Sequence, residues 1–220
     1  MDNQELDSVL QVMENPVRRK IIKRLSQEPA YALQLSKELG LGQPLVAKHL
    51  AAMEKAGLVK TVSEDSPNGP RRKLYSLARG ISITMDVGPN LFIARGIAFE
   101  AKLGKEKTSQ GVSQLRHKVQ HAIEGNDENK KLSLLSEALD EVDGRIDEIE
   151  RERLELLGVR NLAMREASMV ASKFDELDTR RVLFHILDEH DRGVERISEA
   201  LNLRELSVKS ILEELEDYFG

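Results

Sequence analysis

The sequence repeats one pattern of residues at two places 162 positions apart, and this repeat limits the folds that the chain can adopt. Residues 18–53 align without a gap with residues 180–215. Each copy predicts a helix, a short helix, a tight turn and a third helix. Chance matching is an alternative in a leucine-rich chain. The turn positions argue against it, because Gly40 and Asn202 are in register and both residue types tolerate a left-handed backbone.

Strands are expected only after the first copy. Residues 58–63 and 71–77 are rich in β-forming residues and flank a dense turn cluster at 65–70, which predicts a hairpin. Residues 81–86 alternate strictly between apolar and polar side chains and predict a third strand. We interpret residues 91–111 as a linker or irregular segment.

A heptad pattern dominates the middle of the chain. Apolar residues recur in steps of three and four over more than three heptads, interrupted by a polar Arg153. The pattern predicts a coiled-coil seam with helicity resuming after Gly158, and it leaves open whether the seam pairs within one chain or between two. A single amphipathic helix lying on a domain is the alternative. The predicted dimerisation residues are Leu132, Leu135, Leu139, Val142, Ile146, Ile149 and Leu156.

Composition agrees with a mainly α fold that carries a small β wing. Apolar residues make up 40% of the 220 residues, charged residues 32% and aromatic residues 4%, which favours long charged helices over a sheet-rich barrel. We expect a winged helix-turn-helix domain over residues 1–90, the linker over 91–111, a helical coiled-coil region over 112–177 and a degenerate helix-turn-helix-like module over 178–220. With no cysteine, no apolar run long enough for a membrane span and no signal-peptide pattern, we expect a cytoplasmic protein.

The charges are distributed unevenly along the chain. The net charge is −5, yet residues 15–80 hold 13 lysines and arginines against 5 aspartates and glutamates. Residues 178–220 have the opposite balance, with 6 basic and 11 acidic side chains. A basic module on an acidic body can bind phosphates locally while the whole chain stays anionic.

The third helix of the first copy has the pattern of a DNA-recognition helix. Its buried stripe leaves small residues between two lysines on the opposite face, as a surface that enters the major groove requires. Gln43 lies at the helix start, where a side-chain amide can pair with adenine. The basic run of the hairpin is suited to phosphate contacts. The predicted DNA-binding residues from these patterns are Gln43, Pro44, Ala47, Lys48, Lys55, Arg71, Arg72 and Lys73.

Three segments resemble the winged helix of ArsR-type transcriptional regulators: residues 15–19 (NPVRR), 35–50 (LSKELGLGQPLVAKHL) and 57–59 (GLV). The basic wing, the third strand and the long helical extension most resemble the archaeal members. The resemblance implies a homodimer that reads two DNA half-sites, and it adds His49 to the DNA-contacting positions. Gly42 and Ala47 stand where the family commonly has serine. Many members sense metals or redox state through cysteines, so the effector here is left undefined, as are the operator and the direction of regulation.

Other chemistry has little support in the sequence. His117 and His121 lie four positions apart and could share a helix face, but no third metal ligand is placed, so we predict no metal site and no cofactor. No phosphate-binding glycine loop or nucleophile motif is present, which predicts a non-enzyme. The alternative function is a protein-interaction module of the transcription machinery, whose winged helices dock proteins. A small-molecule sensor with a gap between helical arms is a weaker third possibility.

Overall fold

The computed structural model describes residues 1–66, 69–100, 109–125 and 127–219. It divides into an N-terminal unit (Met1–Val87 and Phe92–Glu106) and a C-terminal unit (Gly88–Leu91 and Lys107–Gly220). Part of the predicted wing turn, at 67–68, and part of the predicted linker, at 101–108, lie outside the described residues. Within the described part of the chain, every helix is too short or too polar to cross a lipid bilayer.

Four helices form the body of the N-terminal unit. Asp2 and Asn15 cap the first two: the Asn15 side chain accepts hydrogen bonds from the amides of Val17 and Arg18, as the Asn-Pro start predicted. The third helix ends at Gly40, whose φ of 64° places it in the left-handed region that glycine adopts without strain. These helices are α1 (Asn3–Met13), α2 (Pro16–Leu25), α3 (Ala32–Leu39) and α4 (Gln43–Lys55).

The strands form two separate sheets. An antiparallel three-stranded sheet has the order β1-β3-β2, in which Tyr31 of β1 pairs with Leu74 of β3. The third strand of the wing sheet is therefore β1, a two-residue strand before α3. β4 pairs with β5 in a two-stranded sheet. The bounds are β1 (Ala30–Tyr31), β2 (Val59–Ser66), β3 (Gly69–Leu77), β4 (Gly80–Gly88) and β5 (Leu91–Phe99).

The prediction of a linker over residues 91–111 is wrong for its first part, because Leu91–Phe99 form β5. The apolar run of β5 includes Gly96 and two alanines, which weaken the alternation that identifies a strand. Gly96 lies at a close approach: a Cβ atom there would lie 2.8 Å from the sulfur of Met1, at the flexible end of that side chain, and 3.2 Å from Cδ1 of Leu6. The end of the predicted linker is also helical, since the next helix begins at Gln110.

The core of the N-terminal unit lies between α2, α3 and α4. Ile21, Leu35, Val46, Leu50 and Met53 have no exposed surface. Burying each such side chain contributes about 1.5–3 kcal/mol. This core holds α4 in place, so that the opposite face of the helix is left to solvent.

A helical hairpin opens the C-terminal unit. α5 (Gln110–Glu124) packs along the first part of α6 (Glu128–Ala171), and Lys118 forms an ion pair with Glu141 across the two helices. α6 continues through Gly158 for 44 residues, so the predicted interruption there is wrong. A glycine inside a helix costs only about 1 kcal/mol relative to alanine, which the neighbouring turns outweigh.

The last three helices reproduce the predicted repeat. α7 (Leu177–Glu189), α8 (Val194–Leu201) and α9 (Glu205–Phe219) surround a core that includes Ile197 and Val208, both without exposed surface. Asn202 takes the left-handed conformation between α8 and α9, with a φ of 54°. In both copies a serine hydroxyl donates to the carbonyl five residues later, at 2.5 Å from Ser36 to Leu41 and 2.6 Å from Ser198 to Leu203.

Candidate nucleic-acid interface

The face of α4 opposite the core presents the predicted recognition residues. Gln43, Pro44, Ala47 and Lys48 are exposed on it, whereas Val46 is fully buried one residue away. Polar and small side chains therefore lie where a duplex can approach without a large side chain blocking the backbone of the helix. Lys55 is also exposed, at the last residue of α4.

The first turn of α4 has no side-chain cap. Gly42 is the N-cap residue and its carbonyl accepts from the amides of Leu45 and Val46. Pro44 lies within the first two helical positions and needs no amide partner. Among the first four residues of α4 only Gln43 has an amide outside these bonds, and the helix dipole favours an anion beside it.

A cleft joins α4 to the basic strand of the hairpin. It has a volume of ≈ 720 Å³ and is open to solvent along one side. Gln43 and Ala47 from α4 and the three basic residues of β3 share its lining. The structure therefore brings together five of the nine predicted DNA-binding residues, although they lie up to 30 positions apart in sequence. The lining residues are Tyr31, Ala32, Leu33, Gln34, Lys37, Gln43, Ala47, Arg71, Arg72, Lys73 and Tyr75.

The wing carries basic and acidic side chains on facing strands. Arg71 donates to Asp65 at 2.8 Å, but both side chains are more than three-quarters exposed, so the pair contributes little stability. Arg72 lies opposite Glu64 in the β2–β3 ladder. The Tyr31 hydroxyl donates to Glu64 at 2.5 Å, which links the start of α3 to the wing. That hydrogen bond, together with burial, raises the pKa of Tyr31.

His49 is placed differently from the other predicted contacts. It is half-buried on α4 and does not line the cleft. Burial lowers the pKa of His49, and the positive charges of Arg18 and Lys48 lower it further. The imidazole is therefore held in its neutral form, which donates or accepts hydrogen bonds but carries no charge for a phosphate.

Sequence reasoning missed five residues that line the cleft from the α3 side, and also Tyr75 of β3. Gln34 and Lys37 are three positions apart on α3, a spacing that places them on one helix face and could have identified them. Tyr31 and Leu33 carry no comparable signal, because their position depends on the pairing of β1 with β3. Leu33 is half exposed in the cleft.

The seam residues of α6 are mostly exposed. Five of them have between 47% and 68% of their surface accessible, and only Leu135 and Val142 are half-buried. The exposed five are Leu132, Leu139, Ile146, Ile149 and Leu156. The five exposed seam residues are therefore not buried by α5 or by another described element of the chain. The role of the seam in dimerisation stays a prediction.

The two histidines of α5 share a small cavity with α6. His117 and His121 line it together with Glu137, and its volume is ≈ 190 Å³. Among the described residues, no three histidine, aspartate or glutamate side chains are close enough to hold a metal ion.

Three helices whose last member presents a polar face, followed by a basic β hairpin, define a winged helix-turn-helix. A family model described as "Bacterial regulatory protein, arsR family" matches residues 15–61. Residues 15–61 are thus an ArsR-family helix-turn-helix domain, as the sequence resemblance predicted.

Known proteins are similar to part of this chain. An uncharacterized HTH-type transcriptional regulator from Methanocaldococcus jannaschii is 39% identical over 51 residues, which are 23% of this chain and 54% of that protein. The chain therefore spans about half the length of this curated relative. Among solved structures, an ArsR family transcriptional regulator is 25% identical with a TM-score of 0.30, covering 35% of this chain and 74% of that one. Reduced HlyU from Vibrio cholerae is 27% identical with a TM-score of 0.30, covering 34% and 74%.

Proposed function

We propose that this chain is a transcriptional regulator that binds double-stranded DNA sequence-specifically as a homodimer. The cleft between α4 and β3 is the observation that carries the proposal, because two amide side chains and four cations line a single surface there. No cofactor and no enzymatic step belong to this function. A cytoplasmic location agrees with it.

In the proposed complex α4 enters the major groove and the wing follows the phosphates. Gln43, at the exposed start of α4, reads a base edge, with Pro44 and Ala47 allowing close approach. Lys48 and Lys55 contact the backbone on either side of the groove. Arg71, Arg72 and Lys73 bind phosphates and release counterions, which positions the protein without selecting a sequence.

Dimerisation would give the protein two recognition helices. Half-sites one helical turn apart, about 34 Å, suit a two-fold symmetric dimer of helix-turn-helix units. The exposed seam of α6 supplies apolar surface for such a dimer, since five aliphatic side chains there have between 47% and 68% of their surface accessible. An effector or partner protein that changes the affinity for DNA is compatible with this arrangement.

Selection of bound fragments from random duplex DNA tests the proposal. We expect an enriched palindromic site, and an affinity whose logarithm falls with log salt by about 0.9 per phosphate contact. In the triple variant Arg71→Ala, Arg72→Ala, Lys73→Ala the slope should flatten by up to about three such contacts, while the preferred sequence stays the same.

A matched control has the same change of charge in the other unit. The triple variant Arg165→Ala, Lys173→Ala, Lys209→Ala removes three exposed cations there, and its salt slope should equal that of the wild type. No enrichment in the selection, or equal slopes for both triple variants, would contradict DNA binding through the wing. The first of these results would favour the protein-docking alternative.

A further inference from the structure

The exposed stripe of α6 has a heptad register that can be assigned position by position. Leu132, Leu139 and Ile146 fall on a positions, and Ile149 and Leu156 on d positions. α5 packs on a neighbouring face of α6, where Ala138 is buried. These five positions are thus left exposed beside the intramolecular helix pair, while Leu135 and Val142, the first two d positions, are half-buried.

We infer that two copies of α6 pair through this stripe in parallel and in register, so that each seam residue faces its own counterpart. The inference rests on the homodimer of the proposed function and specifies how the two chains are oriented in it. The apolar residues of the stripe can pack against a second copy in either the parallel or the antiparallel direction. The charged residues beside the stripe distinguish these two directions.

Parallel pairing places opposite charges side by side. In a parallel coiled coil the g position of one heptad lies next to the e position of the following heptad in the partner. Arg145 occupies g and Glu150 occupies e of the next heptad, so Arg145 would meet the partner's Glu150 twice by symmetry. Arg145 and Glu150 each have an intrachain partner that holds them weakly: the pair of Arg145 with Glu148 is exposed, and the pair of Glu150 with the half-buried Arg153 is long, at 3.6 Å.

Antiparallel pairing of the same stripe places like charges together. With Leu132 facing the partner's Leu156, the centre of the overlap falls at residue 144. In an antiparallel pair g positions flank g positions and e positions flank e positions, so Arg145 would lie beside the partner's Arg145 across the seam, and Asp143 beside the partner's Asp143. Like charges in such positions destabilise a helix pair, so the antiparallel arrangement is disfavoured at its centre.

Arg153 also selects the parallel register. It occupies an a position, where a single polar residue fixes register and direction at a cost in stability. In the parallel pair two arginines share one layer, and each side chain can lean outward toward Glu150 of its own chain, 3.6 Å away in the structure. In the antiparallel pair Arg153 would face Leu135, and in a pair shifted by one heptad the Arg153 of one chain would face Ile146. In either case that arginine would lose hydration without a polar partner in its layer.

The chain contains no cysteine, so single engineered thiols report the direction unambiguously. The probes are Leu132→Cys and Leu156→Cys in the full chain, each under mild oxidation, alone and as an equimolar mixture after subunit exchange. The two positions are 24 residues apart, about 36 Å along a helix, whereas a disulfide needs Cα atoms within about 7 Å. Leu162→Cys, exposed on the opposite face of α6, is the control.

We expect disulfide-linked dimers from each variant alone and no mixed dimer from the two together. Cross-linking only in the mixture would overturn the parallel direction. Cross-linking no greater than that of the Leu162→Cys control in all three samples would show that this stripe does not join two copies, which overturns the inference. None of these outcomes decides DNA binding, which the selection and salt experiments measure on the cysteine-free protein.

Discussion

The two helix-turn-helix copies have the same backbone arrangement, but their exposed surfaces carry opposite charge. Ser36 and Ser198 make the same hydrogen bond across the turn, and Gly40 and Asn202 take the same left-handed conformation. On the exposed side, Gln43 of the first copy aligns with Glu205 of the second. Buried positions and one turn thus fix the fold of both copies, while the exposed positions decide what each can bind.

The charges on the exposed faces of the two third helices determine whether each copy is suited to DNA. Lys48 aligns with Ser210, and the exposed Ala51 aligns with the exposed Glu213. The carboxylates of Glu205 and Glu213 would repel phosphate, and Ser210 offers no positive charge in place of Lys48. The second copy is therefore unsuited to the DNA backbone even though its helices are arranged similarly. The comparison therefore predicts that changes to equivalent residues have equal effects on folding and unequal effects on DNA binding.

The largest effect is expected from truncating the equivalent core residues Leu35 and Ile197, neither of which is exposed. Leu35→Ala and Ile197→Ala should each lower the free energy of unfolding of their own copy by about 2–5 kcal/mol, because each leaves a cavity. Hydrogen exchange of the Leu41 and Leu203 amides, which donate to Ser36 and Ser198, reports the two copies separately. Equal acceleration of both amides by either variant would show that the copies unfold as one.

An intermediate effect is expected at the first residue of each third helix. Gln43→Ala should weaken binding to the preferred site by about 1–3 kcal/mol and relax the preference at one base pair. Glu205→Ala, at the aligned position, should leave both quantities unchanged. Binding titrations with the selected site and with random duplex measure this. A loss of the same size on both duplexes would mean that Gln43 does not read a base.

The smallest effect concerns pH, because His49 aligns with Ile211, which is buried and cannot titrate. The folded-state pKa of His49 lies below the usual 6.5, so below pH 6.5 the unfolded chain binds more protons than the folded chain. The stability of the first copy should therefore fall as the pH drops below 6.5 and be unaffected by His49 above it. In His49→Gln this part of the pH dependence should disappear from the exchange of the Leu41 amide. An unchanged profile would assign the dependence to other groups.

Much of the fold follows from local patterns in the sequence. The capping of α2 by Asn15, the turn at Gly40 and the length of α4 depend on residues within a few positions of each other, and all were predictable. The pairing of β4 with β5 was not, since Gly96 and the two alanines of β5 weaken the apolar-polar alternation that identifies a strand. The continuity of α6 through Gly158 was not predicted either, because it depends on the helical turns on both sides of the glycine.

The part of the candidate site that depends on local sequence patterns was also predictable. The helix residue Gln43 and the wing residues from Arg71 to Lys73 carry local signals of exposure and charge. The contribution of Tyr31 to the cleft depends on a strand pair and on a hydrogen bond to Glu64, 33 positions away. No local pattern encodes such a contact. The half-burial of His49 likewise depends on how α4 packs in the unit, not on its spacing within α4.

The two-residue strand β1 sets an order of events in folding. Ala30 pairs with Tyr75, 45 positions later, so this pairing requires closure of a long loop, whereas the turns and helix contacts of α2, α3 and α4 involve closer residues. The helices can therefore assemble first and the hairpin can join them afterwards. Because the cleft takes side chains from both parts, we expect it to be the last feature of the N-terminal unit to form as the chain folds.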